Sequence, residues 1–195
     1  MKKLLFLAVA GIVGTFNIAH AQIEKGNAMW GGDLLGIDLG LNKGSGYSIN
    51  ISPSIGYFVR DNLAVGGYLN LGVQGAKNSS TIFNYAIGAL ARYYVSPGQY
   101  GIQNPLKHGR FFLDGRVGFG GQSISKGGGS TNGLNLVIGP GYAYFITPNV
   151  GLEGLVQYNG IFGNGTSSRI QIGLGFQVYL PSSHIKSIIK DPSQL

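Results

Sequence analysis

Asp114 and Arg116 lie two residues apart, a spacing that puts both side chains on one face of an extended strand. Read with the same period of two, Asp38, Arg92, Glu153 and Arg169 fall on the matching face of their own strands. Opposite charges gathered on one face can relay a proton, line an ion path, or pair and neutralise one another. Pairing is the reading adopted here, because charges withdrawn from water must be compensated where they stand. Nucleophilic and metal chemistry lack their parts. Cysteine is absent, and the three histidines are His20, His108 and His184, none on a strand of the reading below. A Ser–His site thus has no base and a zinc site no ligand set. Gly127-Gly128-Gly129 has no Lys-Ser/Thr after it and reads as a flexible loop, not a phosphate cradle. No catalytic residue, metal or cofactor is expected.

The elements that place these charges are strands. From Tyr47 to Val59 every second residue is apolar or proline: Tyr47, Ile49, Ile51, Pro53, Ile55, Tyr57, Val59. Between them lie Ser48, Asn50, Ser52, Ser54 and Gly56, with Phe58 the exception. The pattern recurs and predicts eight strands, over 29–41, 47–59, 63–75, 81–95, 110–121, 134–146, 150–162 and 168–180. The apolar set, for example Leu134, Leu136, Ile138, Pro140, Tyr142, Tyr144 and Ile146, is almost free of charge. A charge facing lipid near the bilayer midplane costs about 2–4 kcal/mol, which is a physical cause for that exclusion. The other set holds nearly all the strand charges, together with Asn50, Asn70, Gln74, Asn84, Gln157, Gln171 and Gln177. The expected fold is all-β: an eight-stranded antiparallel up-and-down transmembrane β-barrel, lipid outside and polar, side-chain-filled inside.

Bulk composition agrees. Only 11% of residues are charged, against about 25% in ordinary soluble domains. No run of 18 apolar residues follows the amino-terminal segment. Residues 1–21 read as a secretory signal: Lys2 and Lys3, an apolar run from Leu4 to Val13, then Ala19-His20-Ala21 before Gln22. Residues 22–180 form the barrel and 181–195 a periplasmic tail. Without Lys2 and Lys3 the formal charge of +7 falls to about +5. Export and the lack of a basic–aromatic cluster make nucleic acid a poor partner.

Arg60-Asp61-Asn62 and Thr147-Pro148-Asn149 are short turns that alternate with the longer connections 42–46, 76–80, 122–133 and 163–167. Short turns face the periplasm in outer-membrane barrels. The long connection 96–109 then also falls on the periplasmic side. Pro53, Tyr57, Phe58, Val59, Asn62 and Leu63 recur 87 residues later as Pro140, Tyr144, Phe145, Ile146, Asn149 and Val150. Both segments read as hairpins of one type, by duplication or by convergence. Lys43, Lys77, Lys126 and Arg169 lie in or beside the four outer connections, which contain no acid. They suit the phosphates of lipopolysaccharide, or ordinary loop solubility.

The signal, the run from Pro53 to Gly67 and the final Ile172-Gly-Leu-Gly-Phe176 resemble the small outer-membrane β-barrel proteins. These are often labelled porin-like, are common in Bacteroidetes and are akin to the OmpX/OmpA barrels. The resemblance spans about 22–180 and implies an outer-membrane location, contact with its lipid and lipopolysaccharide, and delivery by the insertion machinery. Chains of this family usually end on an aromatic residue of the last strand. This one runs on past Tyr179-Leu180 to Leu195, so Phe176 or Tyr179 would have to serve as the recognition residue. The expected function is a non-enzymatic, monomeric envelope protein with a structural or interactive role. Passage of small or apolar solutes is the alternative, followed by a lipid-modifying enzyme or a soluble ligand-binding barrel.

Overall fold

The computed structural model describes residues 23–35, 38–39, 46–76, 79–96, 108–125 and 129–181. The expected signal, the tail beyond residue 181 and most of the connection 96–109 lie outside them. The strands are β1 (Ala28–Leu35), β2 (Asp38–Leu39), β3 (Gly46–Arg60), β4 (Leu63–Ala76), β5 (Ile82–Tyr94), β6 (Gly109–Ile124), β7 (Ser130–Thr147), β8 (Val150–Gly163) and β9 (Gly165–Leu180). From β2 to β9 each strand pairs antiparallel with its sequence neighbour, and β1 pairs with both β3 and β9, so the sheet closes on itself. The β1 and β2 stretches lie along the same strand, β3, and make eight staves in all. The register on β3 steps by one residue between them, from Leu34↔Ile51 to Asp38↔Ser48.

Alternation decides which face is which. On β7 the exposed residues are Leu134, Leu136, Ile138, Tyr144 and Ile146, while Asn135, Val137, Ala143 and Phe145 are buried. The outward face of β9 is barer still, with Ile170, Ile172 and Leu174 each more than 70% exposed. Asn50, Asn70, Asn84, Gln157 and Gln177 point inward and are buried. The wall is apolar outside and polar inside, as the period of two requires.

Two expectations need correction. The outer connections are shorter than 122–133 and 163–167. The β6 and β7 strands stay paired out to Ser123↔Ser130, and β8 and β9 out to Gly163↔Gly165. Small polar residues continue the backbone ladder after the apolar alternation has ended, so a reading of side chains stops too early. The interior is also not polar throughout. At the end of the barrel with the short turns, Met29, Phe58, Tyr94, Phe112, Phe145 and Tyr179 are buried together. Phe112 reaches over Gly141, where a Cβ would collide with its ring. Ile23 and the following turn cap this end: Asn62 N–H donates to Ile23 O at 2.8 Å, and Lys25 N–H to Asp61 Oδ1 at 2.8 Å.

The 87-residue echo is visible in three dimensions. The pairing shifts register between Phe58 and Arg60 in one hairpin and between Phe145 and Thr147 in the other. Phe58 and Phe145 both enter the aromatic layer, while Tyr57 and Tyr144 are both exposed. Asn62 takes a left-handed conformation (φ 65°) in the first turn, and its side-chain amide donates to Ser96 Oγ at 3.1 Å. A β-branched residue resists that conformation, so Asn62→Val should cost roughly 1–2 kcal/mol. Asn62→Gly keeps the conformation and gives up only the Ser96 hydrogen bond, so it should destabilise less than Asn62→Val. Urea unfolding of the folded barrel, followed by circular dichroism, checks the pair.

Candidate functional site

The candidate site is the charged layer above the aromatic cluster. Arg92 comes from β5, Asp114 and Arg116 from β6, Glu153 from β8 and Asp33 from β1, all buried. Arg92 Nε donates to Asp114 Oδ2 at 2.8 Å, and Arg92 Nη1 reaches across the lumen to Glu153 Oε2 at 2.6 Å. Arg116 Nε donates to Asp114 Oδ1 at 2.6 Å, and its Nη2 to Asp33 Oδ2 at 2.5 Å. Arg116 Nη1 also donates to Ser52 Oγ on β3 at 2.7 Å. Five staves are thereby tied through two guanidiniums, whose rigid planar forks suit several carboxylates at once.

This layer is continuous with its neighbours. Below it, the Arg92 guanidinium lies 4.3 Å from the centre of the Phe112 ring. Tyr179 OH donates to Glu153 Oε1 at 3.1 Å and sits 2.8 Å from Tyr94 OH. Above it the lining turns to amides. Tyr68 OH donates to Asn135 Oδ1 at 2.7 Å, Asn135 Nδ2 to Asn159 Oδ1 at 2.9 Å, and Asn159 Nδ2 to Gln171 Oε1 at 3.2 Å. The lumen thus has three tiers: aromatic, ionic and amide.

Of the six residues the sequence placed inside, Arg92, Asp114, Arg116 and Glu153 meet in one network. Arg169 does not join them. It is half-buried on β9 near the outer end, where its Nη2 donates to Asn84 Oδ1 at 3.4 Å. Its side chain belongs to the lumen wall, four residues past the start of β9 at Gly165. The Asp38 side chain lies outside the described residues, as do Lys43, Lys77 and Lys126. Asp33 was missed. Parity counted from Asp38 puts Asp33 on the outer face, and the one-residue register step between β1 and β2 reverses that count. Trp30 and Leu34, both exposed, carried the correct signal.

The chemistry available here is charge compensation. Each described carboxylate–guanidinium contact is closed off from water. Among the described residues, no three His, Cys, Asp or Glu side chains are grouped to hold a metal ion.

No family model matches the chain, and neither does any curated protein sequence. Solved structures do. Neisserial surface protein A is 23% identical and superposes with a TM-score of 0.54, over 78% of this chain and 95% of the other. The outer membrane protein OprG of Pseudomonas aeruginosa is 10% identical, with a TM-score of 0.52 over 83% and 99%. The N-terminal β-barrel domain of OprF from the same organism is 16% identical, with a TM-score of 0.51 over 80% and 98%. The chain therefore has the fold of the small eight-stranded outer-membrane barrels.

Asp114→Ala would leave both guanidiniums short of a counter-charge, and breaking a buried pair in this way typically costs about 3–5 kcal/mol. The thermal transition of the folded barrel should fall sharply for Asp114→Ala and little for the outward Ile170→Ala. Equal transitions would show that the network carries no such role.

Proposed function

We propose that this chain is an integral outer-membrane protein whose barrel is closed to ions, with a structural or interactive role in the envelope and no catalysis. One observation carries the reading: a closed wall with an apolar outside surrounds an ionic layer sealed at one end by aromatic side chains. More than two dozen large apolar residues face outward. In water so much exposed surface would drive aggregation; in a bilayer it is the solvated face.

The dimensions suit a membrane. On β3 the exposed Tyr57 and Tyr47 are ten residues apart, and the exposed Tyr144 and Leu134 stand in the same relation on β7. Ten residues at about 3.3 Å each, on a strand tilted by about 40°, span roughly 25 Å along the axis. That is about the height of the apolar band of outer-membrane barrels. Tyr57, Tyr144 and Trp30 stand toward the short-turn end, Tyr47, Phe83 and Phe162 toward the other. Two aromatic girdles result, as interfacial anchoring favours.

The site itself supports a role without catalysis. Every carboxylate of the ionic layer is engaged by a guanidinium, and no described histidine lies on a strand. The monomer is the expected state of such a barrel, delivered by the outer-membrane insertion machinery and surrounded by lipid and lipopolysaccharide. Lys43, Lys77, Lys126 and Arg169 are the candidates for lipopolysaccharide phosphates. Unchanged co-purification of lipopolysaccharide after Gln substitution of all four would defeat that contact.

The test is to fold the chain in detergent, run it on SDS gels with and without heating, and reconstitute it in planar bilayers. A heat-dependent mobility shift with no defined open state is expected. Stepwise conductance would favour solute passage instead. A chain that stays soluble without detergent and shows no shift would make it a soluble barrel.

A further inference from the structure

With all five side chains ionised, the buried network carries one negative charge in excess. Arg92 and Arg116 face three carboxylates, Asp33, Asp114 and Glu153, and none of the five is more than 4% exposed. The next described cations along the wall stand apart from it: Arg110 is four residues before Asp114 on β6, beyond Phe112, with its guanidinium turned to Gly109 O, and Arg169 is six residues from Gly175 on β9, roughly 20 Å away. The hydrogen bonds locate the excess. Both oxygens of Asp114 accept from guanidinium nitrogens. Both oxygens of Glu153 accept, one from Arg92 and one from Tyr179. Asp33 Oδ2 accepts from Arg116. Asp33 Oδ1 is buried and accepts from no described donor. The uncompensated charge and the unpartnered carboxylate oxygen are at the same residue.

The wall around that oxygen is built from small residues and further unpartnered oxygens. Asp33 lies in register with Gly175 on β9 and Ser52 on β3. Its Oδ1 stands 2.6 Å from the point a Cβ on Gly175 would occupy, and Glu153 Oε2 stands 3.4 Å from that point. Two residues along, Gln177 on β9 and Ser54 on β3 are also buried. Ser54 Oγ and both polar atoms of the Gln177 amide lack described partners. A buried polar atom left unpaired costs about 1–3 kcal/mol, more when charged, so a patch with several of them calls for a shared partner.

We propose that Asp33 Oδ1, which itself lies over Gly175, binds one monovalent cation of the sodium or potassium class on the side toward Gly31, completed by Gln177 Oε1 and Ser54 Oγ. One unit of positive charge balances the layer. A divalent ion would reverse its sign and would need the larger set of carboxylate oxygens that hard divalent cations take. The site is internal to the barrel wall and does not depend on which membrane surrounds it. It differs from a pore because the aromatic layer closes the lumen beneath it.

The test uses the full chain folded in detergent, with sodium, potassium or choline chloride at one ionic strength. The expected result is a thermal transition that rises saturably with sodium or potassium and not with choline. The broadening of the sodium-23 resonance by the wild type should be lost in Asp33→Asn and reduced in Gly175→Ala, whose methyl group displaces Asp33 Oδ1. Identical transitions in all three salts overturn the proposal on the wild type alone, whether or not a variant folds. Sodium broadening that survives in a folded Asp33→Asn also overturns it. A transition that responds to pH but not to the cation assigns the balancing charge to a proton within the network and overturns it as well.

Discussion

Arg92 is the contact on which the interior is organised. One guanidinium joins a carboxylate on the adjacent strand to another 61 residues away across the lumen, and it does so over the face of Phe112. Arg116 repeats the device with Asp114 and with Asp33, 83 residues away. Ion pairs this deep add little net stability over an apolar core, because desolvation offsets their attraction. Their effect is to fix register. A one-residue slip of β6 would turn Asp114 and Arg116 onto the apolar outer face, where each would be stranded.

The tiers of the lumen follow from that constraint. Ionic groups need partners with fixed geometry, and they occupy the middle of the lumen. Amide side chains donate and accept at once and tolerate the wetter outer end. At the other end the tight turns bring Phe58, Phe112, Phe145, Tyr94 and Tyr179 within ring contact, with centroid separations such as 5.2 Å for Phe145–Tyr179 and 5.7 Å for Tyr94–Phe112. The two tyrosines reconcile apolar and ionic tiers: their rings pack below and their hydroxyls reach Glu153 and each other. A narrow barrel filled in this way has room for side chains and not for a wide aqueous channel.

Much of this was legible in the sequence, because alternation with a period of two fixes strand and face together. All eight staves and the inward placement of Arg92, Asp114, Arg116 and Glu153 follow from it. What escaped has local causes. Asp33 was lost because a register step between β1 and β2 breaks the parity count. Ser123 and Ser130 escaped because backbone pairing continues where apolar side chains stop. The aromatic tier was hidden because Phe58, Tyr94 and Phe145 share the parity of the polar set. Only the spatial convergence of distant strand ends shows that they form one layer.

The central claim is that the apolar face meets lipid while the charged layer is sealed inside. The chain has no cysteine, so single cysteines can report each face without background. Spin labels placed singly from residue 134 to 138 on β7, with the protein in lipid bilayers, should show collision with oxygen alternating residue by residue. The account requires high oxygen access at 134, 136 and 138 and low access with restricted motion at 135 and 137. The opposite phase, with 135 and 137 open to a water-soluble nickel complex and 134, 136 and 138 sealed, would contradict it.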